Sequence, residues 1–189
     1  MPTEPMDGLS QLADTIMLEG VAAEIEAFVG ASGWSDPPTL FALVPTRLLA
    51  ADPAAAAVLG SPNDGPDKIA ADAITPIAQD ELPDGPLDQA LAQIGWPDEV
   101  VGCALSQQIV MLPPAAEAQL DDLAVESVAT VTVEHPDRRE ARLVVAVLRD
   151  GRAASVLRLR AAAGTAEDLL TGADLAPNLT AALLATFDD

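Results

Sequence analysis

One histidine, one cysteine and a cluster of arginines are the residues of this chain with the widest chemical scope. His135 is the only side chain whose ordinary pKa lies near neutrality, so any imidazole-based acid–base pair must run through it. It stands in His135-Pro136-Asp137, a turn signature, which reads as a surface turn rather than a general base. Cys103 lies within an apolar run and reads as a buried, inert thiol. A single cysteine forms neither an internal disulfide nor a cysteine-rich metal site. Seven of the nine basic residues fall between Arg138 and Arg160, the others being Arg47 and Lys68. Guanidinium forks bind carboxylates and phosphates, so Arg149, Arg152, Arg158 and Arg160, with His135, form the candidate interaction surface. The chain also holds 30 acidic residues, and pairing of these arginines with internal carboxylates is the favoured reading.

Other chemistry is not encoded in any recognisable motif. There is no Gly-x-Ser-x-Gly elbow, no phosphate-binding loop ending in Gly-Lys-Ser/Thr and no Gly-x-Gly-x-x-Gly fingerprint. Asn63-Asp64-Gly65 lacks the ligand spacing of a calcium loop. The acid pairs Asp80-Glu81, Asp121-Asp122 and Asp188-Asp189 read as solvated surface charge rather than as a metal site. A zinc site would need carboxylates for most of its ligands. No catalytic residue, metal ligand or cofactor is expected.

Composition narrows the partners. The formal net charge is −21, against a usual magnitude of roughly 2–8 for a small domain. Such a surface repels phosphate backbones and anionic headgroups and draws in cations and basic protein faces. Basic residues interleaved with aromatics, as base stacking needs, are absent from the arginine cluster. Half the residues are apolar, which argues for a folded core. Only 3% are aromatic, so that core must be built from Ala, Val, Leu and Ile around Trp34, Trp96 and three Phe. No run approaches the ~20 apolar residues that span a bilayer, and residues 1–8 lack a signal-peptide pattern. The expectation is a cytoplasmic protein with no membrane insertion.

At 189 residues the chain suits a single domain, expected over residues 9–189 behind a loose tail at 1–8. Leu18, Val21, Ile25 and Phe28 recur at helical steps and predict a helix over about 10–29, stopped by Gly30 and Gly33. Thr39 to Val44 reads as a buried strand ended by Pro45, with Thr46 capping a short helix. A short extended piece is expected near 74–78 and a helical stripe at Leu87, Ala90, Leu91 and Ile94. Val100 to Leu112 is a long strand-like run. Residues 115–129 look helical in parts, and 165–170 and 176–187 suggest a C-terminal helical region. Trp34 and Trp96 each sit where a predicted helix hands over to a predicted strand.

The clearest local signal is a hairpin. Strands over 140–149 and 152–160 flank Asp150-Gly151, which favours a two-residue type I′ turn. That register places Arg149 opposite Arg152 and Val145 opposite Val156. It puts Arg149, Arg152, Arg158 and Arg160 around an apolar centre on one face. The other face, carrying Val144, Ala146 and Leu148 and charged only at Arg142, is the expected core side.

Several pieces together resemble a family of uncharacterised, small acidic actinobacterial proteins. They are Phe41-Ala42-Leu43-Val44-Pro45, Ile94-Gly95-Trp96-Pro97-Asp98, Leu112-Pro113-Pro114-Ala115-Ala116-Glu117, His135-Pro136-Asp137-Arg138, Ala146-Val147-Leu148-Arg149-Asp150-Gly151 and Gly172-Ala173-Asp174-Leu175-Ala176-Pro177. The chain departs from the family pattern around Ser106 to Gln108. The resemblance implies no activity and no catalytic residues.

The fold expected is α+β, an antiparallel sheet of about five strands with helices packed mainly on one face. The leading functional expectation is a non-catalytic interaction, adaptor or chaperone-like protein that binds a partner, or a second copy of itself, through the hairpin face. The alternative is a binder or enzyme for an anionic small molecule that uses the arginines of the 140–160 hairpin.

Overall fold

The structure is a computed structural model, and it describes residues 6–34, 37–52, 70, 72–113, 136–161, 167–173 and 175–188. His135 and the helix expected over 115–129 lie outside the described residues.

Helix α1 runs Met6–Gly30, starting inside the stretch expected as a tail. Its buried face carries Leu18, Val21, Ala22, Ile25, Glu26 and Val29. Phe28, expected on that face, is 66% exposed and meets Phe41 only edge-on, the ring centroids 6.3 Å apart. Strand β1 (Thr39–Pro45) leads directly into α2 (Thr46–Ala51). Thr46 is not the cap, because Pro45 holds that position; the Thr46 hydroxyl instead meets that of Thr75, 2.9 Å away. Then follow β2 (Ile74–Ala78), α3 (Leu87–Leu91), β3 (Gly102–Met111), β4 (Arg139–Leu148), β5 (Ala153–Leu159), β6 (Asp168–Gly172) and α4 (Pro177–Ala185).

The α+β class is as expected, but the sheet has six strands rather than about five, in the order β2-β1-β3-β4-β5-β6, with every pair antiparallel. The additional strand is β6, where a helical region was expected from residue 165. Its five residues carry no helical periodicity, and pairing with β5 supplies the backbone hydrogen bonds a short helix could not nucleate. The helices are shared between the two faces of the sheet. α1 packs across β4 and β5 on one face, while α3 and α4 lie together on the other, with α4 against β3 and β4. Strand β4 is therefore buried on both sides from Ala141 to Leu148, and its apolar run, interrupted only by Arg142, is what a twice-covered central strand requires.

The β4–β5 hairpin is one residue out of the expected register. Leu148, not Arg149, is paired with residue 152: its amide donates to the Arg152 carbonyl at 2.9 Å. The loop thus has three residues, Arg149-Asp150-Gly151, and Gly151 donates back to the Leu148 carbonyl at 2.9 Å. A type I′ turn needs positive φ at both Asp150 and Gly151. Only Gly151 has it, at 90°, which gives the three-residue loop with a left-handed glycine at its end. Val144 faces Val156, Val145 faces Ser155, and Arg142 faces Arg158. The one-residue shift moves every β5 side chain to the opposite face from the one expected. It brings Arg142, Arg152 and Arg158 onto the α1 side.

Cys103 points to the other side, its Sγ 3.8 Å from both the Leu183 carbonyl oxygen and the Thr186 hydroxyl. Burial pushes its thiol up to about 12, which the Thr186 hydrogen bond only partly offsets. We expect no reaction with an aromatic disulfide reagent at pH 8 in the native state and one equivalent in denaturant; rapid native labelling would show that α4 opens readily.

Candidate functional site

On the α1 side, β3, β4 and β5 present a transverse polar row of Gln108, Arg142 and Arg158. Glu26 reaches this row from α1. Its carboxylate accepts from Arg142 Nη1 at 2.9 Å and from Arg158 Nη2 at 2.7 Å. Glu26 is 1% exposed, Arg142 2% and Arg158 25%, so this Arg–Glu–Arg triad is a buried ion pair with a partly exposed third member. Burial alone would push the Glu26 carboxyl up. Hydrogen bonds and charge from Arg158 and Arg142 together outweigh it and hold the carboxyl below its ordinary 4.5. Arg142 also donates from Nη2 to the Gly33 carbonyl and lies 4.7 Å from the centre of the Trp34 ring. Gly30 leaves it room, because a Cβ there would stand 2.9 Å from Arg142 Nη1. Arg142 Nε and Gln108 Nε2 are buried without hydrogen-bond partners among the described residues.

The arginines singled out in the sequence are thus spread over distinct local sites. Arg158 is held by Glu26 and, at 3.6 Å, by Glu167. Arg160 pairs with Glu140 and lies 5.6 Å from the Trp34 ring centre. Arg152 pairs at 2.6 Å with Asp150, and that contact is the chief cause holding the Asp150 carboxyl below its usual value. Arg149 donates to the carbonyls of Val100, Trp96 and Pro97 at 2.8–3.0 Å and lies 4.6 Å from the Phe187 ring centre. It ties the approach to β3 to the C-terminal turn. Both hairpin faces are closed by the protein's own helices, so the expected exposed apolar centre rimmed by arginine is not present.

What remains open lies on the opposite side, where α3 and α4 stop short of β1 and β2. Leu40, Ala42 and Val44 of β1 and Ile77 of β2 floor a groove of about 460 Å³. Ile94, Trp96, Pro97 and Val100 wall it on the approach to β3. Trp96 is fixed there: its indole N–H donates to the Thr186 hydroxyl at 2.9 Å and its ring stacks on Phe187. Gln79, Asp80, Glu81 and Gln93 form the rim. Gln79 and Gln93 spend their side-chain amides on the Ile77 and Gln89 carbonyls, which leaves Asp80 and Glu81 as the charged groups there. The only signals for this groove in the sequence are the Gly95-Trp96-Pro97 approach and the Asp80-Glu81 pair, which by itself reads as surface charge. Among the described residues, no group of three His, Cys, Asp or Glu could hold a metal ion, and no helix is long and apolar enough to cross a membrane.

The PPA1309-like protein family has a model that matches residues 18–188. The chain belongs to this family. No curated protein and no solved structure matches it. The match runs from the buried face of α1 through α4, so the ion triad, the hairpin and the groove all fall inside the PPA1309-like region.

Proposed function

We propose that the protein is a non-catalytic interaction protein of the actinobacterial cytoplasm, and that the β1–β2 groove receives a partner segment bearing apolar side chains between basic ones. The observation that carries this is the groove itself, in which Ile77 stands exposed over the buried Leu40, Ala42 and Val44 beside an acidic rim. Its volume suits one or two large side chains, and its walls rest on strands and on the fixed Trp96. Charge complementarity names the rest of the partner. A chain of net charge −21 with Asp80 and Glu81 at the rim favours lysine or arginine on either side of the apolar anchor. The same charge disfavours nucleic acid and anionic membranes.

The test is a fluorescence titration of the Trp34→Phe protein, which leaves Trp96 as the reporter, with a Leu/Lys-rich peptide and its Leu/Glu counterpart. The basic peptide should give a saturable change that the acidic one does not. Ile77→Ser and Asp80→Asn/Glu81→Gln should each weaken it by roughly tenfold. Unspecific attraction to an acidic surface would ignore Ile77→Ser, and that result, or no saturation, would overturn the proposal.

A further inference from the structure

A second open site lies across the sheet from the groove, at the end of the hairpin away from its turn. Arg138, Arg139, Glu140 and Arg160, with Pro136 and Ala161, line an open surface depression of about 370 Å³. Three of the nine basic residues of the chain line this depression, against one carboxylate. Arg142 is buried in the triad, and Arg149 is consumed by backbone carbonyls. Arg138 and Arg139, by contrast, are exposed and have no ion-pair partner among the described residues. Arg160 is half-exposed and, among the described residues, paired only with Glu140, itself partly exposed.

We infer that this depression is a binding site for a small multivalent oxyanion, a compound bearing two or more carboxylate or phosphate groups. Planar guanidinium forks match both groups in geometry, and three of them around one depression match an anion with more than one charged end. The overall negative charge does not cancel this preference. At physiological salt the field of distant acids is screened beyond about 8 Å, whereas guanidiniums in contact with a bound anion are screened far less. Glu140 holds Arg160 while the site is empty, and an entering anion competes with it for that guanidinium. Arg160 also lies against Trp34, so its movement carries an optical signal. This site is independent of the groove proposed above; either can fail without the other.

The test uses the Trp96→Phe protein, in which Trp34 is the sole tryptophan and no tyrosine interferes. Citrate and pyrophosphate are titrated separately, with sodium chloride at matched ionic strength as the control, and calorimetry on the wild type runs beside it. A saturable change with citrate, pyrophosphate or both is expected, and their order tells whether carboxylate or phosphate is preferred. Arg138→Ser/Arg139→Ser should bind roughly tenfold more weakly. Glu140→Gln should bind more tightly, because the competing carboxylate is gone. Arg152→Ser, at the other end of the hairpin, should bind as the wild type does. A response reproduced by sodium chloride, or equal in the Arg138→Ser/Arg139→Ser protein, or absent by both methods, overturns the inference.

Discussion

Replacing Glu26 by glutamine is expected to destabilise the fold by about 3–5 kcal/mol, the usual cost of breaking a buried ion pair from one side. Glutamine keeps the shape and one acceptor oxygen but leaves Arg142 as a buried guanidinium without its counter-charge, and Arg158 with only the more distant Glu167. In a protein of this size the loss should appear as a fall in Tm of roughly 6–20 °C. Replacing all three members with apolar residues (Glu26→Leu, Arg142→Met, Arg158→Met) should restore most of it, because the desolvation cost disappears with the charges. The wild type should also carry a pH signature. The Glu26 carboxyl is depressed in the folded state, so its contribution is fully present above its ordinary 4.5 and is lost as pH falls through the lower folded value. Acid melts of wild type and Glu26→Gln should converge in that window. Parallel curves, or an unchanged Tm in Glu26→Gln, would show that the triad does not hold α1 to the hairpin.

The second large effect is expected at Gly102, the first residue of β3. It pairs with Leu148, and a Cβ added there would run into the Val147 carbonyl oxygen and come within 2.6 Å of Leu148 Cδ2. The first of these is backbone in the central strand and cannot step aside without disturbing β4. Gly102→Ala should therefore cost about 3 kcal/mol, the upper part of the range for overpacking. Gly20→Ala is the control: nothing lies within 4 Å of a Cβ at that helical position. It should raise stability by up to about 1 kcal/mol through helix propensity alone. Urea denaturation of both variants measures the contrast, and equal values would show that β3 and β4 yield at their crossing.

Much of the architecture could be read from the chain because local pattern and tertiary demand agree there. The run from Thr39 to Val44, the alternation and turn around Asp150-Gly151, and the apolar steps from Leu18 to Ile25 each describe one element whatever surrounds it. The hairpin register was not legible, because Asp-Gly serves two loop lengths and only the ladder hydrogen bonds choose between them. Leu169 and Leu170 carry no period, so β6 depends on β5 for its identity. Glu26 was missed although a signal existed. It lies four residues after Ala22 on the apolar stripe of α1, and an acid on a buried stripe asks for a buried base; Arg142, the lone charge within the apolar run of β4 from Ala141 to Leu148, asks for the converse. The groove could not be foreseen because it is defined by where α3 and α4 end, which no local pattern of β1 or β2 records.

The triad also sets an order of events during synthesis. Glu26 and Arg142 are separated by 116 positions in the chain. At the ribosome's pace of 5–20 residues per second, α1 emerges roughly 6–23 s before the strand that neutralises its buried carboxylate. For that interval the helix carries an exposed stripe of Leu18, Val21, Ile25 and Val29 with an ionised acid in its midst. Burying that stripe against anything without a counter-charge would cost the desolvation of the acid. When β4 and β5 arrive, their arginines claim the acid, and the charge that opposed burial elsewhere becomes the one that seats the helix.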